Sequence, residues 1–69
     1  MIQPSVIAER LVKLRGNMTR DKVANACGIS KSAIAIAMYE IGARVPRDEI
    51  KIKLAQFYDT TVETIFFTY

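Results

Sequence analysis

The stretch Thr19–Glu40, TRDKVANACGISKSAIAIAMYE, decides how the rest of the chain is read. Thr19 offers a hydroxyl to the orphan N–H groups of a following turn, which makes it a good N-cap. A short helix after it carries Val23, Ala24 and Cys27 inward, and the interior alanine lets a second helix come close. Gly28 ends that helix in the left-handed backbone that glycine tolerates best. Ile29 plugs the turn, and Ser30 or Ser32 caps a further helix that runs to Glu40. Within that helix Ala33–Ala37 alternates with period two, as a strand does, but the turn and cap before it favour a helix. The spacing is that of two helices crossing at a tight turn, a helix-turn-helix over about residues 19–40. An ordinary helical hairpin uses the same glycine and alanine.

Before this stretch, Pro4-Ser5 starts a helix whose apolar face is Ile7, Leu11 and Leu14, and Gly16-Asn17 stops it. After it, Gly42 closes the third helix. Pro46 with Asp48 and Glu49 opens a fourth, the acids sitting at the positive end of its dipole. Ile50, Leu54, Phe57 and Tyr58 form its inner face. Thr60-Thr61-Val62-Glu63 reads as a capping box into a last short helix carrying Ile65 and Phe66. Residues 1–69 therefore read as one all-α domain of five short helices, with no linker, repeat or low-complexity tail.

A chain of 69 residues buries only about 60% of its unfolded surface, so every helix must contribute to a thin core. Its 51% of hydrophobic residues argues against disorder. No apolar run approaches the ~20 residues of a membrane span, and the first ten residues show no signal-peptide pattern. One cysteine and no histidine favour a reducing cytoplasm and leave no zinc site. Catalysis has little to stand on: Cys27 falls on an inner helix face, Asp48 and Glu49 point apart, and the glycines form no phosphate cradle. The expectation is no enzymatic activity, no cofactor, no metal and no small-molecule ligand.

Charge is uneven. Residues 1–47 hold eight Lys/Arg against Glu9, Asp21 and Glu40, a net +5, while residues 48–69 come to −2. A basic front suits a polyanion meeting one side. In a helix-turn-helix the second helix projects its N-terminal side chains into the major groove of double-stranded DNA. Those would be Lys31 and Ser32.

The segments IAERLVKLRGNMTRDKVANACGIS and YEIGARVPRDEIKIKLAQFYDTTVETIFF, in this order, carry a family pattern. Its most specific part is Glu-x-Gly followed by Arg-x-Pro. Over nearly its whole length the chain resembles Cro/repressor-type helix-turn-helix proteins of the xenobiotic-response-element group. More narrowly, it is similar to the short single-domain members of Gram-positive bacteria and their mobile elements. The resemblance implies a lambda-repressor-like five-helix bundle. It also implies a transcriptional regulator, a repressor of phage or mobile-element type, that binds a roughly palindromic operator as a homodimer. Carried over by position, Thr19 and Arg20 would stand at the DNA end of the second helix, Arg20 clamping phosphate or reaching a base. Ser30, Lys31 and Ser32 would sit at the groove end of the third helix, with Ala35 further along it. Arg44, and with it Arg47, would meet the backbone from the following loop. Arg15 and Glu40 match a buried ion pair tying the first helix to the third.

One departure matters. In the family about ten positions separate the turn glycine from the glutamate, whereas Gly28 to Glu40 spans twelve. Two extra residues rotate a helix by about 200°, so its two halves cannot both keep their usual faces. If the turn is kept, Ile34, Ala37, Met38 and Ile41 face inward and Glu40 swings away from Arg15. If the helix end is kept, Ile36 and Tyr39 face inward, Glu40 meets Arg15, Ser32 becomes the cap, and Ala33, Ile34 and Ala37 face DNA. The second register is favoured, because lengthening a loop is thermodynamically mild; a π-bulge is the third option. In either register the DNA face is poor in hydrogen-bonding groups. A rival of another class is a protein-interaction module, antitoxin-like or adaptor, using the aromatic tail Phe66, Phe67 and Tyr69 and the fourth-helix face.

Overall fold

Pro4 stands at the start of α1 (Pro4–Arg15), where its missing N–H costs nothing and its φ is already helical. Ile7, Ala8 and Leu11 are buried along α1, and Leu14 packs against the same core. The computed structural model describes residues 2–29 and 32–68, Ser32 by its backbone alone. Among these residues there are five α-helices and no strand. No helix among them is long and apolar enough to cross a membrane.

Thr19 caps α2 (Arg20–Ala26), its Oγ1 accepting from the Lys22 N–H at 3.1 Å. The helix ends in a Schellman pair: the Gly28 N–H donates to the Asn25 carbonyl at 3.2 Å and the Ile29 N–H to the Ala24 carbonyl at 2.9 Å. Gly28 adopts φ +67° there, which a side chain would resist. Val23 and Ala24 are fully buried, and α2 packs against α3 (Ser32–Glu40) more extensively than any other two helices pack.

α3 is α-helical throughout, without a π-bulge. It buries Ile36, Tyr39 and Glu40 and leaves Ile34 74% and Ile41 68% exposed. The register that puts Ile34, Ala37, Met38 and Ile41 inward is therefore not adopted; Ala37 and Met38 are only half-buried. Anchoring at the helix end is the reason. The Gly42 N–H donates to the Tyr39 carbonyl at 3.3 Å and the Ala43 N–H to the Met38 carbonyl at 3.1 Å, a second Schellman pair. Gly42 has φ +77°, and a Cβ there would lie 3.5 Å from the Pro4 carbonyl oxygen, so the stop of α3 rests on the start of α1. Such a junction is costly to re-phase, whereas a turn accepts extra residues. Ser32 lies within α3 rather than at its cap; Ser30, the other candidate cap, lies outside the described residues.

α4 (Asp48–Phe57) carries Asp48 and Glu49 in its first turn and buries Leu54 and Ala55, with Ile50, Phe57 and Tyr58 packed against the core. Pro46 is buried two residues ahead of the helix, and Arg47 occupies the cap position without a side-chain cap bond. Asp59 ends α4 with φ 56°, the only described non-glycine at positive φ. α5 (Val62–Phe66) is capped by Thr61, which accepts from the Thr64 N–H at 3.1 Å. The box expected from Thr60 to Glu63 gives way to a simple cap by Thr61, whose backbone is the one extended before the first turn, so that Thr64 and not Glu63 stands at the third helical position.

The ends of the chain close on each other. Phe66 is fully buried, and the Ile2 N–H donates to its carbonyl at 3.4 Å. Arg10 Nη1 donates to the Thr64 carbonyl at 2.7 Å and the Ile65 carbonyl at 3.2 Å, satisfying end-of-helix acceptors of α5 from α1.

Candidate nucleic-acid interface

Glu40, the last residue of α3, has a side chain only 1% exposed, and each of its oxygens meets a different arginine. Arg15 Nε donates to Oε2 at 2.6 Å, and Arg20 Nε donates to Oε1 at 3.0 Å. Arg15 Nη1 also donates to the Met18 carbonyl at 2.7 Å, closing the α1–α2 loop. A buried carboxylate is tolerable only when paired and hydrogen-bonded, and here the pairing joins the end of α1, the start of α2 and the end of α3. The Arg15 guanidinium is pushed further up from its ordinary value, chiefly by the hydrogen bond to Glu40. Arg20 is the member that reaches solvent, its side chain 43% exposed. Glu40 holds it by Nε, which leaves the rest of the guanidinium to an outside anion.

The other proposed DNA residues divide. Thr19 spends its side chain on the cap of α2. Arg44 and Arg47 are exposed and line a cleft of about 290 Å³ with Ala35, Tyr39, Glu49 and Lys53. Ala35 is half-buried, facing this cleft between α3 and α4 rather than the outward side of its helix. Ser30 and Lys31 lie outside the described residues, as does the side chain of Ser32. Lys22 is exposed on α2. The structure thus places Arg20 at one end of α3 and Arg44 and Arg47 along one flank.

Two features were not found from the sequence. The family pattern puts Arg20 on phosphate or a base edge and gives no sign that Glu40 also holds it. Lys51 enters the sequence reading only through the net charge of residues 48–69, yet it is buried, with Nζ 3.6 Å from Asp48 Oδ1 and 5.0 Å from the Phe67 ring centroid. An aromatic i+15 to i+16 along the chain gives no local signal, though the i, i+3 pairing with Asp48 does.

The same core sets a pH limit. Burial pushes the Cys27 thiol up, and burial with the nearby Glu40 charge pushes the Tyr58 phenol up to about 12. In both cases folding favours the neutral form. The stabilisation is therefore complete below the ordinary values of about 8.5 and about 10, and it is lost as pH rises through the folded ones. Urea midpoints should hold from neutrality to about pH 8 and fall progressively toward about pH 12, and Tyr58→Phe should flatten the upper part of that fall. A midpoint unchanged across the alkaline range would contradict it.

No protein-family model, curated protein or solved structure significantly matches this chain.

Proposed function

We propose that the chain is a DNA-binding transcriptional regulator of the Cro/repressor helix-turn-helix type, with a lambda-repressor-like arrangement of its five helices. It acts as a repressor of phage or mobile-element type and binds operator DNA as a homodimer through α3. The observation that supports this reading best is the α2–turn–α3 unit. A Schellman pair at Gly28 ends α2, Ala24 is fully buried in α2, and Glu40 bonded to Arg15 and Arg20 ties the end of α3 to α1 and α2 while Ile34 stays exposed. Exposed Arg44 and Arg47 stand beside it for phosphates.

Gel shift against mixed-sequence duplex tests the reading. If Arg20, Lys22, Arg44 and Arg47 each neutralise one phosphate, log K should fall with log salt at a slope of about −3.6 per protomer. Between about 50 and about 200 mM salt that is a loss of roughly a hundredfold. Binding that is absent or indifferent to salt would reject it. The rival protein-interaction module draws on a second observation: Ile52, Val62 and Phe67 line one shallow depression at α4 and α5, with Ile52 50% and Phe67 42% exposed. Tyr69, the rest of that tail, lies outside the described residues.

A further inference from the structure

The outward face of α3 has an unusual chemistry for a helix that meets DNA. Among the described residues Ile34 and Ile41, the latter just past the helix end, are the exposed large apolar ones on this side, seven positions apart, with Ala37 and Met38 half-buried between them. At about 100° per residue these four share one side of the helix. None of them has a side chain that forms a conventional hydrogen bond, so the polar edges of the bases find no partner here. The one apolar group a base pair presents in the major groove is the C5-methyl of thymine. We infer that α3 reads thymine methyl groups, Ile34 and Ala37 foremost, and that the chain selects duplexes whose major groove presents them at neighbouring steps. This rests on the DNA-binding reading above.

Charge favours a duplex over a second copy as the occupant of this face. Residues 1–47, which include α3, carry a net +5, a sign that suits a polyanion better than a second copy of the same charge. Arg44, Arg47 and Lys53 outnumber Glu49 in the cleft beside Ala35 on the adjoining flank of α3, and Arg20, held by Glu40 through Nε, stands at its end with its side chain 43% exposed. An apolar strip edged by cations fits a methyl-lined groove edged by phosphates.

The test replaces thymine by deoxyuracil, which removes the methyl and keeps the pairing. Fluorescence anisotropy with the full chain should show an A·T-rich duplex bound more tightly than its uracil counterpart, by about fourfold for each methyl contacted. Placing 5-methylcytosine in a G·C duplex should strengthen binding in the same sense. Ile34→Ser, at a position exposed enough to leave the fold intact, should weaken thymine duplexes and shrink the thymine–uracil difference, while leaving uracil duplexes nearly unchanged. Equal, salt-dependent affinity for thymine and uracil duplexes would overturn this inference and spare the DNA-binding reading. No salt-dependent binding to any duplex would overturn both. A dimer of the free protein that Ile34→Ser dissociates would place a second copy on the face and overturn the inference.

Discussion

Replacing Glu40 by alanine is expected to destabilise the protein severely, taking up a large share of its folding free energy. The Glu40 side chain is 1% exposed and meets Arg15 at 2.6 Å and Arg20 at 3.0 Å. Removing it strands two guanidiniums side by side, one of them, Arg15, only 18% exposed. Breaking a buried pair in this way costs about 3–5 kcal/mol, and a domain of this length has only about 3–10 kcal/mol in total. The loss should appear as a melting point lower by at least about 12 °C. Arg15→Ala should also be severe, because it leaves the buried carboxylate with a half-solvated partner. Arg20→Ala should cost only about 1 kcal/mol, since its side chain is 43% exposed and water can replace it. Equal losses for Glu40→Ala and Arg20→Ala would show that the three-helix junction is not held by this carboxylate.

The paired substitutions Ile36→Ala and Ile34→Ala should give opposite results, although the two residues are neighbours in a repeated dipeptide. Ile36 is 2% exposed, and truncating such a residue to alanine costs about 2–5 kcal/mol, transfer and cavity together. For a domain this small that lowers the melting point by at least about 10 °C. Ile34 is 74% exposed, and truncation there should stay within about 0.5 kcal/mol. Thermal melts of the two variants measure the register of α3 directly. A reversed order, with Ile34→Ala the damaging change, would restore the register anchored at the turn.

The elements themselves were legible because each is set within one or two turns of chain. Thr19 before a helix, Gly28 and Gly42 after one, and Pro4 at the start of one act through backbone groups three to five residues away. The helix period likewise named Ile7, Leu11, Val23, Ala24 and Leu54 as inward, and all are buried. The cap of α5 falls on Thr61 rather than Thr60, because both are threonines and only the backbone tells which one is extended. Arg15 and Glu40 came from the family pattern, not from any local rule.

What the sequence by itself determined, then, is five short helices, their stops and most of their inner faces, since capping and periodicity are short-range. The tertiary structure alone decided which Ile-Ala of α3 goes inward, and it did so through the contact of Gly42 with Pro4 and the arginines on Glu40. It alone also turned Arg20 toward Glu40, drew Arg10 across to the carbonyls of α5 and buried Lys51 beneath aromatics. These partners lie from 15 to 55 residues apart in the chain, and a long, flexible cation carries no local sign of the distant acceptor it will find. Only the packing that brings the acceptor within reach selects it.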